Sequence, residues 1–187
     1  MLKLILVRHS SPEIVPAVPA DQWLLSEAGR LRCKPLAEKL KAHQPDLIVT
    51  STETKAVETA QIVAQLLHKP VETAEGLHEH DRSNVRWLER DQFEAAVVAL
   101  LEKPETLVLG NETGDQAHHR FAEAITNVLG QHPGGNVAVV THGTVLALYI
   151  SRATGLEPFA LWKRLGMPSL VVLSLPVLEL LTVVESV

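Results

Sequence analysis

The sequence of 187 residues has one cysteine, no excess of basic residues and no uninterrupted apolar stretch of transmembrane length. The lone Cys33 excludes an internal disulfide, so we expect a reducing compartment. The net charge of -5 argues against nucleic acid and anionic membrane as partners, because both require a large basic surface. The first apolar run is too short for a signal sequence, and the stretch 170–184 is broken by Pro176 and Glu179. These absences favour a cytoplasmic protein with no membrane segment.

Internal repeats, low-complexity segments and linkers are also absent from the sequence. Hydrophobic residues make up 46% and charged residues 21%, which is ordinary usage for a soluble protein. A chain of this length can bury a substantial core. We therefore predict one domain over residues 1–187, in which any anion-binding site is local rather than spread over a basic surface.

Two basic residues follow the first apolar run of the chain. The segment Leu2–Ser10 has the pattern of a strand buried on both faces of a parallel sheet, and its apolar part stops at Arg8 and His9. Ligands of open α/β sheets bind beyond the carboxyl ends of the strands, where a guanidinium and an imidazole would meet an anion. Taken alone, the segment favours an ordinary strand end over a binding site, because short apolar runs followed by charge are common.

The same arrangement recurs near residue 140. Residues 137–140 form another apolar run, which ends in Thr141, His142 and Gly143 and precedes a predicted helix over 144–152. Because a second histidine closes a second buried strand, coincidence becomes the weaker interpretation. We predict that His9 and His142 lie at one edge of the sheet and belong to a shared site.

A third apolar run, residues 46–50, is followed directly by a turn and a helical pattern. Thr50 and Glu53 have the spacing of a capping box, which predicts a helix N-terminus with free backbone N–H groups just beyond this strand. Lys55 lies near the first helical turn, where its ammonium would reach a bound anion. The same position is equally compatible with a solvated surface lysine.

The remaining pattern predicts an α/β fold in which helices alternate with strands. A proline-rich loop spans 11–21, and Pro35 is expected to kink a helix that begins at Ser26. Further helices are predicted over 89–101 and after the loop 110–115, with a short edge strand over 71–73. The last two strands, 170–175 and 177–184, are expected to pair antiparallel at the edge of the sheet.

Titratable residues are most crowded in the segment 78–81, which reads His-Glu-His-Asp. A metal site is one interpretation, but the segment lacks the helical His-Glu-x-x-His spacing and a cysteine pair. A metal-dependent hydrolase built on His78, Glu79 and His80 therefore ranks below an acid or base role for Glu79.

The polar residues at the predicted strand ends suit phosphoryl transfer. A neutral imidazole can attack phosphorus, while cations and helix N-termini stabilise the charge on the phosphoryl oxygens. A protonated carboxylic acid can donate to the departing oxygen, and its conjugate base can then activate water. The residues available for these steps are Arg8, His9, Lys55, Glu79 and His142.

At these motifs the chain resembles the histidine phosphatase superfamily, also called phosphoglycerate mutase-like, over nearly its whole length. The segments that carry the resemblance are Leu6–Ser10 (an Arg-His-Gly signature), Leu25–Arg30 (the start of the first helix), Ser51–Ala60 (a Ser-x-x-x-Arg-Ala-x-Gln-Thr-Ala element), Leu77–Glu79 (the acid-bearing segment) and Val140–Gly143 (the second histidine motif). The resemblance implies a three-layer α/β/α sandwich with a mostly parallel central sheet and an antiparallel edge strand. It also implies that no metal or other cofactor is required.

By this resemblance His9 is the residue phosphorylated during turnover, Arg8 and His142 are catalytic residues that bind the phosphoryl group, and Glu79 is the proton donor. Two departures from the family pattern lie at the expected phosphate site. Lys55 replaces an arginine, which exchanges a planar bidentate group for a point charge. Ser10 replaces a glycine, so its hydroxyl would either bind phosphate or crowd the pocket. The segment after Glu79 also lacks the Gly-x-x-Glu-Gly continuation of many members.

The sequence thus predicts a metal-independent phosphomonoester hydrolase that acts through a phosphohistidine on a small phosphorylated substrate. One alternative is a non-catalytic phosphate-ligand or protein-binding member of the same fold, which Lys55 and Ser10 keep open. Another is a phosphoglycerate mutase-type phosphotransferase, although the chain lacks room for the insertions of such mutases. Candidates for the mouth of the site are Trp23, Arg82, Arg86 and Trp87. The edge strand 177–184 is a candidate for pairing in a homo-oligomer.

Overall fold

Six strands form one sheet, and the apolar runs of the sequence lie at its centre. In the computed structural model, which describes residues 1–187, the strands are β1 (Lys3–Arg8), β2 (Leu47–Thr50), β3 (Val71–Thr73), β4 (Val137–Thr141), β5 (Ser169–Ser174) and β6 (Leu180–Val184). Their order across the sheet is β3-β2-β4-β1-β5-β6. The first four of these pair in parallel, and β5 runs antiparallel to both β1 and β6. The predicted mostly parallel sheet with antiparallel pairing at one edge is confirmed.

Strand β1 lies between β4 and β5 and is buried on both of its faces. Leu4 and Leu6 pack into one hydrophobic cluster, whereas Ile5 and Val7 pack into another on the opposite face of the sheet. Successive side chains of a strand point to opposite faces, so a strand covered on both sides needs an apolar residue at every position. This requirement explains the continuous apolar run before Arg8.

Helices cover both faces of the sheet and complete the predicted α/β/α sandwich. Their bounds are α1 (Glu27–Lys41), α2 (Thr54–Leu67), α3 (Arg90–Glu102), α4 (Gly114–Gln131), α5 (Gly143–Thr154) and α6 (Pro158–Arg164), with a short 3-10 helix at Ala20–Gln22. Helices α1 and α2 pack on one face, and α3 to α6 pack on the other. None of the helices has both the length and the apolar character needed to cross a membrane.

Helix α1 begins where the sequence predicts and continues through its proline. The Ser26 hydroxyl caps it by accepting a hydrogen bond from the Gly29 amide at 3.0 Å. The helix is uninterrupted at Pro35, where the sequence predicts a kink. Proline leaves the carbonyl four residues earlier without a donor, and here that residue is Leu31, which is 71% exposed, so water can serve that carbonyl.

The capping box predicted for Thr50 and Glu53 is wrong. Thr50 is the last residue of β2, and its hydroxyl donates to the carbonyl oxygen of Ser51 at 3.2 Å. Glu53 is itself the residue that precedes α2, and its side chain makes no capping hydrogen bond. The carboxylate of Glu53 instead accepts hydrogen bonds from the Lys55 ammonium, which is a charged donor, and from the backbone amide of Glu79.

The C-terminal part of the chain differs from the sequence-based prediction in two respects. Helix α6 was not predicted, although its start has a clear signal: Glu157 caps the amides of Phe159 and Ala160, and Pro158 occupies the first turn. Strand β6 begins at Leu180, since the residues after β5 form a turn. The predicted antiparallel pair at the sheet edge and the short strand at 71–73 are both confirmed.

Candidate active site

The fold brings the ends of three parallel strands to one edge of the sheet. β1, β4 and β2 are neighbours, and they are followed by His9, His142 and Ser51 respectively. The His9 amide continues the strand pairing by donating to the carbonyl oxygen of Thr141 at 2.9 Å. As a result, the imidazole centroids of His9 and His142 are 5.1 Å apart. The predicted juxtaposition of the two histidines is therefore present.

His9 is held as a neutral imidazole with a defined tautomer. Its Nδ1 atom is 2.7 Å from the carbonyl oxygen of Ser10, and a carbonyl oxygen only accepts, so Nδ1 carries the proton. The Nε2 lone pair is then free to act as a nucleophile. Burial is the largest cause that lowers the pKa of His9 well below its usual range, and the Lys55 ammonium acts in the same direction.

His142 precedes α5 and is fully buried. Its Nε2 atom lies 2.6 Å from the Ser51 hydroxyl and 3.5 Å from Oε1 of Glu53. Its Nδ1 atom has no hydrogen-bond partner within the protein. Burial, followed by the charge of Lys55, lowers the pKa of His142 well below its usual range, so this ring is also neutral near pH 7.

The guanidinium of Arg8 is fixed by the helix that was not predicted. Its Nη1 atom donates to the carbonyl oxygen of Leu165, just after α6, and its Cζ atom lies 5.9 Å from the centre of the Trp162 ring. Gly143 lies directly against the guanidinium, because a Cβ atom there would be 2.9 Å from Arg8 Cζ. Nε of Arg8 is buried and has no partner within the protein. Burial lowers the pKa of Arg8, but a guanidinium remains charged.

Glu79 is a carboxylate held at the N-terminus of α5. Its two oxygens accept hydrogen bonds from the amides of His80, Thr144 and Val145 at 2.9, 3.1 and 3.2 Å. Arg82 completes the set with an ion pair of 3.2 Å. Burial by itself would raise the pKa of Glu79, but Arg82, His142 and the backbone donors outweigh it and hold that pKa well below its usual range.

Ser10 and Lys55 both have partners within the protein. The Ser10 hydroxyl donates to the carbonyl oxygen of Gly29 at 2.7 Å, so it faces α1 rather than the histidines. Phosphate binding by this hydroxyl stays a prediction, and it would require that bond to break. The Lys55 ammonium donates to the carbonyl oxygen of Ala20 at 2.6 Å and to Oε2 of Glu53.

Glu53 was not predicted as a site residue, and Arg82 was predicted only as a candidate for the mouth of the site. Glu53 is buried, and its Oε1 accepts from the Glu79 amide at 2.7 Å. Arg82 stacks its guanidinium 4.9 Å from the centre of the Phe93 ring, and its Nη1 atom is buried without a partner. Glu53 directly follows a strand end and precedes Lys55 by two residues, which is the only sequence signal that could have drawn attention to it.

A comparison with known protein families fits this geometry. The sequence profile described as "Histidine phosphatase superfamily (branch 1)" matches residues 4–176. The chain belongs to the histidine phosphatase superfamily. Arg8, His9 and His142 lie in two of the five motifs on which the resemblance to this family rests.

Three curated relatives of this chain have related names. The chain is 31% identical to phosphoglycerate mutase-like protein 4 of Arabidopsis thaliana over 137 residues, which cover 69% of this chain and 60% of that protein. It is 28% identical to the metal-independent phosphoserine phosphatase of Arabidopsis thaliana (79% and 67% covered). It is 22% identical to the uncharacterized phosphatase PhoE of Bacillus subtilis (72% and 66% covered). The chain thus spans about two thirds of the length of these relatives.

Solved structures of two phosphatases share the fold of this chain. A mycobacterial glucosyl-3-phosphoglycerate phosphatase in complex with VO3 superposes with a TM-score of 0.79 at 21% identity and covers 100% of both chains. A phosphoserine phosphatase of Entamoeba histolytica in complex with 3-phosphoglyceric acid superposes with a TM-score of 0.77 at 19% identity, covering 98% of this chain and 97% of that one. These likenesses confirm the architecture, and the second neighbour binds a small phosphorylated ligand.

Two loops that contain predicted mouth residues contact each other. The rings of Trp23 and Trp87, one from each loop, are 6.1 Å apart. The Trp23 indole N–H donates to the carbonyl oxygens of Val15 and Val18 at 3.0 and 2.9 Å. Trp87 is 46% exposed and Arg86 is exposed beside it. That these residues line the mouth of the site stays a prediction.

The histidines of the segment 78–81 do not assemble a metal site with Glu79. Nε2 of His80 lies 2.7 Å from the carbonyl oxygen of Glu112, while Glu79 points to α5. No group of three or more histidine, cysteine, aspartate or glutamate side chains is gathered as metal ligation would require. His80 instead helps to fasten this loop to the segment before α4.

Proposed function

We propose that this protein is a metal-independent phosphomonoester hydrolase that forms a phosphohistidine on His9. The observation that carries the proposal is the set of buried donors around the N-terminus of α5. Nε of Arg8, Nη1 of Arg82 and Nδ1 of His142 are all buried without partners within the protein. Nδ1 of the neutral His142 ring is a donor in the tautomer in which the Ser51 hydroxyl donates to Nε2. Buried donors are normally satisfied, and a helix N-terminus favours negative charge, so these groups suit a phosphoryl anion beside His9.

The proposed reaction has two steps. In the first, Nε2 of His9 attacks phosphorus, the bond from phosphorus to the ester oxygen breaks, and the departing oxygen takes a proton. In the second, water attacks phosphorus, the bond from phosphorus to Nε2 of His9 breaks and releases inorganic phosphate, and Glu79 accepts a proton from that water. The carboxylate form of Glu79 suits the second step directly. Because Glu79 is ionised, the proton that the departing oxygen takes in the first step has to enter with the monoanionic form of the phosphate ester. It then reaches the departing oxygen through Glu79.

A second candidate is a phosphate-binding member of the family without turnover. The observation that favours it is the Lys55 ammonium, which is occupied by Glu53 and by the carbonyl oxygen of Ala20. The donors on Arg8, Arg82 and His142 would bind phosphate in either case. The two candidates therefore differ in phosphate release and not in phosphate binding.

The test is phosphate release from an aryl phosphate in the presence of a chelator, with His9→Ala compared with the wild type. His119→Ala is the matched control, because the His119 side chain is 77% exposed on α4. We expect release by the wild type and the control and none by His9→Ala, together with an acid-labile phosphoryl group on the quenched wild type. Equal release by His9→Ala would refute the phosphohistidine. Phosphate binding without release from any ester would favour the non-catalytic candidate.

A further inference from the structure

A buried ion pair lies beside the two histidines, between residues that are two positions apart in the sequence. Glu53 and Lys55 are only 9% and 6% exposed. The Lys55 ammonium donates to Oε2 of Glu53, and its second partner is the carbonyl oxygen of Ala20. Two of the three N–H groups of this ammonium are thus committed to acceptors of the protein itself.

The pair is close enough to act on the candidate site. Oε1 of Glu53 lies 3.5 Å from Nε2 of His142 and accepts from the Glu79 amide at 2.7 Å. The charge of Lys55 is one of the causes that lower the pKa of both His9 and His142. A phosphoryl group bound next to these rings would therefore experience both the ammonium and the carboxylate.

The three cations of the site differ in what they have available for an anion. Arg8 and Arg82 each keep one buried N–H nitrogen without a partner within the protein. Arg82 and Lys55 are each paired with a carboxylate, Glu79 and Glu53 respectively. Arg82 nevertheless keeps its free Nη1, whereas two of the three N–H groups of Lys55 are taken by Glu53 and Ala20, and its charge is nearly cancelled at a distance by that of Glu53. Lys55, which replaces the family's arginine, is therefore the cation of the three that is least available to bind phosphate.

We propose that Glu53 is a specificity-determining residue, which restrains the Lys55 ammonium and so weakens binding of the phosphoryl group. The proposal rests on the function proposed above. Phosphate is then bound mainly by Arg8, Arg82 and His142, and a substrate must gain the rest of its affinity through its leaving group. Inorganic phosphate, which has no leaving group, is bound weakly and is a poor product inhibitor.

If Glu53 has this role, removal of its buried charge should increase the affinity for phosphate. The substitution Glu53→Gln frees the ammonium and also removes the repulsion between the carboxylate and a phosphate anion, so both effects act in the same direction. The amide oxygen of glutamine can still accept from the Glu79 amide. A purely structural role of Glu53 predicts the opposite, because loss of a structural ion pair does not tighten ligand binding.

The experiment is calorimetric titration of inorganic phosphate at constant ionic strength into the wild type, Glu53→Gln and the double variant E53Q/K55M. Glu123→Gln, which removes a carboxylate from a side chain 65% exposed on α4, controls for net charge. We expect Glu53→Gln to lower the dissociation constant of phosphate by about tenfold. The double variant should stay within about threefold of the wild type, because both charges are absent.

An E53Q protein that binds phosphate no more tightly than the wild type would overturn the inference and leave the proposed function intact. The double variant keeps the test decisive if Glu53→Gln does not fold, since it contains no unpaired buried charge. A double variant that binds phosphate at least tenfold more weakly than the wild type means that Lys55 already binds phosphate, which also overturns the inference. Absence of phosphate binding in every variant would overturn the proposed function and this inference together.

Discussion

Gly143 is the residue on which the position of Arg8 depends most directly. A Cβ atom at this position would lie 2.9 Å from Cζ, 3.0 Å from Nε and 3.1 Å from Nη2 of Arg8. Real side chains do not approach so closely, so any other residue would displace the guanidinium. The glycine of the His-Gly motif therefore serves close approach between α5 and the first strand end.

We predict that Gly143→Ala weakens phosphate binding by at least about tenfold, a loss typical of a displaced charged donor, while the protein remains folded. The matched control is Gly130→Ala in α4, where an added Cβ meets nothing within 4 Å. The control should raise the free energy of unfolding by roughly 0.5–1 kcal/mol, because alanine is the better helix former. Phosphate titration and urea unfolding of both variants measure these effects. An unchanged affinity in Gly143→Ala would contradict the assigned role of Arg8.

The carboxylate of Glu79 links stability to pH. Its pKa is lowered in the folded protein, so its stabilising contribution is complete above the unfolded value of 4.5 and is lost as the pH falls below it. We predict that Glu79→Gln is less stable than the wild type at pH 6 by on the order of 2 kcal/mol, since the amide cannot accept from three backbone donors and pair with Arg82. Urea unfolding at pH 6 and pH 3.5 should show this difference shrinking. A constant difference would show that the ionised form is not specially stabilised.

The neutral histidines define the pH dependence of the proposed reaction. Because the pKa of His9 is lowered well below 6.5, mild acidification does not protonate the nucleophile. The monoanionic ester, which carries the proton for the departing oxygen, becomes more abundant below the second phosphate pKa of about 6. We therefore predict that kcat/KM for an alkyl phosphomonoester is higher at pH 5.5 than at pH 7.5. A decline over this interval would place the titration on His9 or His142 instead.

At the scale of elements, the loop before α1 is held over the site by few bonds. The Glu13 amide pairs with the carbonyl oxygen of Leu24, and the Lys55 ammonium reaches Ala20 from α2. The Trp23 indole N–H, bonded to two carbonyl oxygens, closes the loop on itself. A loop with so few anchors can open locally without unfolding the sheet.

We predict that Trp23→Phe, which keeps an aromatic ring but loses the indole N–H, makes the loop 12–24 several times more sensitive to limited proteolysis. The free energy of unfolding should change by less than about 1 kcal/mol, because the bonds are at the surface. Trp87→Phe is the control, since its indole N–H makes only one long contact of 3.4 Å, to Glu89. Equal sensitivity of the two variants would show that the Trp23 hydrogen bonds do not hold the loop.

At the scale of the whole molecule, the two hydrophobic clusters share the central strand. Alternate residues of β1 belong to the cluster under α1 and α2 and to the cluster under α3 to α6. A strand common to both clusters couples them, because loss of packing in either cluster exposes one apolar face of β1 to water. This arrangement favours the prediction that residues 1–187 unfold as one domain.

We predict that Leu36→Ala, in one cluster, and Phe121→Ala, in the other, lower the midpoint of a single cooperative transition. Both side chains are fully buried, and such truncations cost about 2–5 kcal/mol. Calorimetry compared with denaturant unfolding tests this expectation. Two transitions, of which each variant shifts only one, would contradict the single domain.

Homo-oligomer formation through the edge strand β6 stays a prediction that sedimentation can test.

The sequence alone determined the features of this protein that depend on local, periodic patterns of residues. Continuous apolar runs identified the buried strands, because a strand covered on both faces leaves no position for a polar side chain. The residues directly after those runs, Arg8, His9 and His142, could be assigned to one sheet edge from the geometry of parallel strands alone. The short motifs around them were sufficient to indicate the family.

Only the tertiary structure decided how those residues are partnered. Glu53 enters the site because the strand order places the end of β2 beside His142, which no local pattern reveals. Arg8 is oriented by residues around α6, some 150 positions away in the chain. Glu79 is ionised because the N-terminus of α5 and Arg82 surround it. Charge pairing depends on the distances between charged atoms in the folded chain, and the pairing of Lys55 with Glu53 is the feature by which we distinguish the proposed phosphate site from the family pattern.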